Sequence, residues 1–284
     1  MSRDELIQTI AAVLVGATST GAVVTGHALP DVRTPLRILL AEDNAVNQEV
    51  AVAMLRKRGH HLTVVDNGAK TVDAIRHGKF DVVLMDIHMP EMDGFAATAA
   101  IRQLPGGVDL PIIALTADAL AGEREHCLAS GMNGYLAKPF QSHELFAAVE
   151  GWSNAPFTVP SSRASPVPTL AVDIEGLRES MRRADAVDAV DGILDTFLRD
   201  APGREAALAT ALAAGNAGDI QAAAHAFKSA AGAIGARTLA SLLQTIELAA
   251  KADRTPDALA LADDLHREVK SVLTQLREPQ RGIP

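Results

Sequence analysis

At 284 residues, with 48% hydrophobic and 21% charged side chains, the chain has the composition of a globular protein long enough for two domains, which excludes a disordered or fibrous one. A net charge of −9 with no Lys/Arg cluster excludes a basic face that could track phosphates, so nucleic acid is not an expected partner. The single cysteine, Cys127, excludes an internal disulfide and a multi-cysteine zinc site, and the cytoplasm is the expected compartment.

In chain order, the first apolar segment runs from Leu6 to Val24, but Gln8, Thr9, Thr18, Ser19 and Thr20 interrupt it. Asp4 and Glu5 stand where a secretory signal carries positive charge. The expectation for residues 1–35 is a helix over Asp4–Val15 and a tether, not a membrane span; so short a helix is marginal alone and would suit the end of an upstream module.

Residues 36–152 alternate short β-branched runs with amphipathic helical stretches, the pattern of βαβ units around a parallel sheet. Strands are predicted at Arg37–Ala41, Leu62–Val65, Asp81–Met85, Pro111–Leu115 and Gly134–Ala137, most of them continuously apolar, as strands covered on both faces should be. Five such strands suggest a flavodoxin-like α/β sheet in the order 2-1-3-4-5, with ligands beyond the strand C-terminal ends. Residues 153–172, with Pro156, Pro160, Pro166 and Pro168 among serines, read as a linker. Helical stretches follow at about Ile174–Ala184, Val187–Gly215, Ile220–Gly232, Ala236–Lys251 and Pro256–Arg277, so residues 173–278 are expected to form an all-α bundle and 279–284 a tail.

Three carboxylates fall at strand ends: Glu42 and Asp43 after the first, Asp86 after the third. Neighbouring ends of a parallel sheet converge, and the mutual repulsion of three half-buried carboxylates is relieved by a hard dication such as Mg²⁺. Thr116 after the fourth strand and Lys138 after the fifth add a hydroxyl and an ammonium, the groups that a developing phosphoryl charge requires. Singly, each would be an ordinary cap or turn residue; five polar residues in this order, each at a strand end, point to one pocket.

These residues lie in stretches that resemble the receiver domain of two-component response regulators, in the version found in hybrid sensor kinases: Ile38–Asn44 followed by Asn47, Met85–Gly94, Ala114–Ala117 and Gly131–Phe140. The resemblance implies that Asp86 is the phosphoacceptor and that Glu42, Asp43 and the backbone carbonyl of His88 join it in holding Mg²⁺. It further implies that Thr116 and Lys138 contact the phosphoryl group and that Tyr135 is a rotamer switch. The His88 side chain is expected to be an exposed bystander, with contact to attacking water as the alternative. Asp118 stands where many relatives carry Asn.

In the second domain, His225 and Lys228 lie at i and i+3 on one predicted helix, among the small residues Ser229, Ala230, Ala231, Gly232 and Gly235. Glycine is costly in a helix, which suggests that something must approach closely. The run Ala224–Ala236 resembles the histidine-containing phosphotransfer (HPt) domain. That likeness implies a phosphoacceptor His225, a stabilising Lys228, and Glu247 or Gln244 facing the ring from the next helix; Ser229 departs from the commoner Gly. A structural histidine is the bland alternative, and no second His or Cys lies at metal-ligand spacing from His225.

The expected function is a phosphorelay, with a sensor histidine kinase upstream and a response regulator receiver domain downstream. Neither a Walker-type loop nor the boxes of a histidine-kinase ATP domain is present, so ATP hydrolysis is not expected. The alternatives are a phosphate sink or phosphorylation-dependent binding switch, the C-terminal part of a hybrid histidine kinase lacking its ATP domain, and an Asp-nucleophile phosphatase. The last would want an Asp where His88 stands.

Overall fold

The computed structural model describes residues 35–117, 121–151, 157–158 and 171–277. The expected Asp4–Val15 helix and Asp118 lie outside them. Among the described residues no helix is long and apolar enough to cross a membrane.

The first half is a doubly covered parallel sheet. Its elements are β1 (Arg37–Ala41), α1 (Ala45–Lys57), β2 (His61–Val65), α2 (Gly68–His77), β3 (Val82–Asp86), α3 (Gly94–Arg102), β4 (Ile112–Thr116), α4 (Ala121–Ala129), β5 (Gly134–Ala137) and α5 (Ser142–Glu150). The five strands follow the order β2-β1-β3-β4-β5, all parallel. β3 and β4 are buried along their whole length, because helices cover both faces. Leu39, Val83, Met85 and Ile112 pack toward one side; Ile38, Leu40, Leu84 and Ile113 pack toward the other.

Two details differ from the sequence expectation. β3 and β4 run one residue further, so Asp86 and Thr116 are the last residues of their strands rather than the residues after them. The proline-rich stretch expected as linker also contributes β6 (Phe157–Thr158), which pairs in parallel with Gly134 and Tyr135 and makes the sheet six-stranded. Two residues bounded by Pro156 and Pro160 are too short a run for periodicity to reveal.

The second half is helical: α6 (Ile174–Arg183), a 3₁₀ turn (Val187–Ala189), α7 (Val190–Ala214), α8 (Ala217–Ala233), α9 (Arg237–Lys251), α10 (Thr255–Leu259) and α11 (Ala262–Arg277). Local chemistry sets the breaks. Gly215 closes α7 in the left-handed region, with φ 68°, and the Asn216 side chain then caps α8 by accepting from the N–H groups of Gly218 and Asp219. The stretch expected as one helix from Pro256 to Arg277 breaks into α10 and α11 around Ala260 and Leu261. The bundle core of Ile193, Phe197, Phe227, Leu239, Leu243 and Ile246 belongs to one continuous cluster with the α1 and α5 face of the sheet, which includes Val50, Met54, Leu145 and Val149.

Candidate functional site

Strand register assembles the first centre. Ala41 pairs with Met85, so Glu42 and Asp43 emerge beside Asp86; Thr116 pairs with Ala137, so Lys138 emerges beside Thr116. One oxygen each from Glu42, Asp43 and Asp86 lies within 4.8 Å of the others. The Lys138 ammonium bridges Glu42 Oε2 and Asp86 Oδ2, at 2.6 Å to each. Asp93 caps α3 through a 2.7 Å bond from the Ala96 N–H. A Cβ on Gly94 would stand 2.3 Å from the Asp86 carbonyl oxygen, so only glycine lets the loop after β3 close over the pocket.

One ammonium does not neutralise three carboxylates. Burial, reinforced by Asp86, raises the Glu42 carboxyl to about 8 despite Lys138 and Asn47. Burial and Asp86 likewise push Asp43 upward. Lys138 is held above its usual value: burial alone would lower it, but Asp86 and Glu42 outweigh that cost. The pocket is short of positive charge, which is the condition a divalent cation relieves. Thr116 is buried at its rim and Tyr135, on β5, is half-buried.

The second centre is built by two helices. From α8, His225 Nδ1 lies 2.7 Å from Glu247 Oε1, and Lys228 Nζ lies 2.6 Å from Glu247 Oε2, so a single α9 carboxylate orients both. Burial would raise that carboxyl, but hydrogen bonds from His225 and Lys228 bring it down to about 2. The contact commits Nδ1 to the carboxylate and leaves Nε2 as the ring's available nitrogen. Gln244 is exposed, and it lines a cleft of about 590 Å³ with Lys138, Gln141 and Arg237 rather than sharing Glu247's contact with the ring.

The two centres meet. The His88 ring centroid stands 4.3 Å from that of His225, while the His88 N–H donates to Asp86 Oδ1 at 3.2 Å. The expectation of an exposed bystander missed this cross-domain contact, which no local pattern encodes. Burial and the facing His225 hold the His88 imidazole below its ordinary value. Around the rings, Asn44 Nδ2 donates to the Ala226 carbonyl at 3.0 Å, and Asn47 Nδ2 donates to Ser229 Oγ at 2.7 Å. Farther along α1, Thr196 donates to Glu49 Oε1 at 2.6 Å and Lys57 pairs with Asp188 at 3.2 Å.

The small residues after His225 divide by role. Ser229 meets Asn47 of the first domain, whereas a Cβ on Gly232 would make only an ordinary van der Waals contact, 3.9 Å from Pro139 Cδ, so that glycine borders the first domain without being required for its approach. Ala230 and Ala231 are instead fully buried in the bundle, and Gly235 is a turn residue, φ 78°, packed on Asp173. Sequence reasoning missed Arg204, a half-buried guanidinium of α7 that bonds the Ala226 carbonyl at 3.4 Å and, with Lys138, offsets part of the upward push on Asp43. Nothing near it in sequence marks it out.

Comparisons with known proteins agree with this division. A family model of the response regulator receiver domain matches residues 38–150, and one of the Hpt domain matches residues 192–278. The sensor histidine kinase GacS of Pseudomonas protegens is 37% identical over 184 residues, 61% of this chain and 20% of its own length. The signal transduction histidine-protein kinase BarA of Escherichia coli is 39% identical over 110 residues, 39% of this chain and 12% of its own. This chain thus spans a fifth or less of both relatives. Among solved structures, the receiver domain of sensor histidine kinase PA1611 from Pseudomonas aeruginosa, crystallised with a magnesium ion in its active-site cleft, is 48% identical; the match covers 42% of this chain and 98% of that one, with a TM-score of 0.40.

Proposed function

We propose that this chain, a response regulator receiver domain followed by an Hpt domain, is a phosphorelay protein in which Asp86 and His225 are the two residues that carry the phosphoryl group. The observation that carries this reading is the His88–His225 contact at 4.3 Å, which brings the histidine centre against the acid pocket.

Glu42, Asp43 and Asp86 would hold Mg²⁺, with the His88 backbone carbonyl as a further ligand; the proximity of their oxygens and the upward shifts of Glu42 and Asp43 fit a dication. When bound, the ion neutralises the pocket and polarises a phosphoryl oxygen. Asp86 attacks the phosphorus of a donor phosphohistidine, the P–N bond breaks, and an acyl phosphate forms. Lys138 then leaves its bridge to follow the new phosphoryl oxygens, with the Thr116 hydroxyl as a second donor and Tyr135 as the switch residue behind it. In the second step His225 Nε2 attacks, the bond from phosphorus to the Asp86 oxygen breaks, and the carboxylate is restored. Glu247 accepts from Nδ1–H throughout, and Lys228, one helical turn from His225, would leave Glu247 to reach the phosphoryl group now on the ring. The tether between the domains gives the second step an effective concentration on the order of millimolar.

By this reading the donor is a sensor histidine kinase, the acceptor of His225's phosphate is the receiver domain of a separate response regulator, and the compartment is the cytoplasm. The test is label transfer in the full chain. Phosphate loaded on Asp86 should appear as acid-labile, base-stable phosphohistidine in the parent and not in His225→Gln, and neither form should appear in Asp86→Asn. If Asp86 loads and His225 never labels, the chain is a phosphate sink or binding switch and the relay is wrong.

A further inference from the structure

Resting on the relay reading, we infer that Ser229 is a positioning residue for transfer, acting through Asn47 to set the histidine helix and the acid pocket in one register. The geometry is a short chain of two hydrogen bonds made by one amide. Asn47 is buried, and its Nδ2 donates to Glu42 Oε1 at 2.8 Å and to Ser229 Oγ at 2.7 Å. An amide nitrogen has two hydrogens, and both are spent: one on a carboxylate of the pocket, the other on the helix that carries His225 four residues earlier. The nearby carbonyl of Ala226 fixes the same helix to Asn44, the residue after Asp43.

Docking therefore reaches Glu42 through a single planar group. A planar amide turned to suit Glu42 presents its second hydrogen in one direction only, and Ser229 Oγ is where that direction ends. Glycine, the commoner residue here in the family the sequence resembles, offers no acceptor, so this coupling belongs to chains with a hydroxyl at the position. The Thr196–Glu49 bond provides an internal contrast. It joins α1 to α7 rather than to α8, and Glu49 makes no contact with the acid pocket among the described bonds, so it can hold the domains together without setting that register.

Single-turnover transfer from loaded Asp86 to His225 in the full chain tests the inference. Ser229→Ala, which keeps the helix, should slow His225 labelling by about three- to tenfold, the loss expected for one neutral hydrogen bond. Ser229→Thr, which keeps the hydroxyl, should recover most of the rate, and loading of Asp86 from a small acyl-phosphate donor should be equal in all three. Asn47→Ala should slow transfer at least as much, and adding Ser229→Ala to it should cost nothing further, whereas Thr196→Val should multiply with it. Parent-like transfer in Ser229→Ala, or losses that multiply between Asn47→Ala and Ser229→Ala, would overturn the inference while leaving the relay standing. A parent that never labels His225 would instead overturn the relay itself.

Discussion

Two buried glutamates in this chain are moved in opposite directions by opposite arithmetic. In the receiver pocket Glu42 shares one ammonium, Lys138, with Asp43 and Asp86, and its carboxyl rises to about 8. In the Hpt centre Glu247 has a lysine and an imidazole to itself, and its carboxyl falls to about 2. The first site is short of positive charge, a deficit that a divalent cation would relieve; the second is balanced and fixes the orientation of one ring. Burial alone would raise both, so the count of partners decides the sign.

The largest effect should come from removing the ammonium that bridges the crowded site. Lys138→Met leaves Glu42 and Asp86 buried without their shared partner, and breaking such a pair costs about 3 kcal/mol or more. Urea unfolding without divalent cations should show that loss, and millimolar Mg²⁺ should return part of it. A loss unaffected by Mg²⁺ would mean that charge deficit is not what the pocket has to solve.

Next in size is a pH effect that should separate the two glutamates. Glu42 holds a proton through neutrality, so seating Mg²⁺ must expel it, and affinity should rise with pH until about 8. Calorimetric titration should find binding roughly 25-fold tighter at pH 8.5 than at pH 6.5, with a proton released, in line with one proton displaced from a group near 8. The sign for stability follows the same proton count. Without metal, the folded state binds more protons than the unfolded one between the ordinary carboxyl range and pH 8, so Glu42 makes the protein less stable as pH climbs through that window. Glu247 behaves oppositely. Its contribution is complete above the ordinary carboxyl range and is lost as pH falls toward 2.

Much of this was legible in the residues, for identifiable reasons. Continuous apolar runs revealed the five main strands because a doubly covered sheet needs them, and strand ends then placed Glu42, Asp43, Asp86, Thr116 and Lys138 at one rim. The spacing of His225 and Lys228 revealed their shared helix face. What stayed hidden depends on contacts across the domain boundary: His88 against His225, Asn47 against Ser229, Glu49 against Thr196, and Arg204 behind Asp43. Even where one member was already a candidate, as His225 and Asp43 were, no local pattern in the sequence names its partner. β6 was hidden for a different reason, being two residues among prolines.

The smallest expected effects lie in the balanced site, where Glu247 and Gln244 both stood one helix from the ring by sequence. Glu247→Gln removes the acceptor of His225 Nδ1 and the partner of Lys228, and should cost about 1–2 kcal/mol in unfolding free energy. It should also slow phosphorylation of His225 by about tenfold or less, because the ring loses its held tautomer while Nε2 remains. Gln244→Ala should leave stability within about 0.5 kcal/mol and transfer within about twofold, as truncation of an exposed side chain away from the ring does. Should Gln244→Ala slow transfer as much as Glu247→Gln, the ring would be oriented by a network and not by one carboxylate. The contrast between a pocket with too few cations and a centre with a single well-supplied anion would then need a second polar group on the Hpt side.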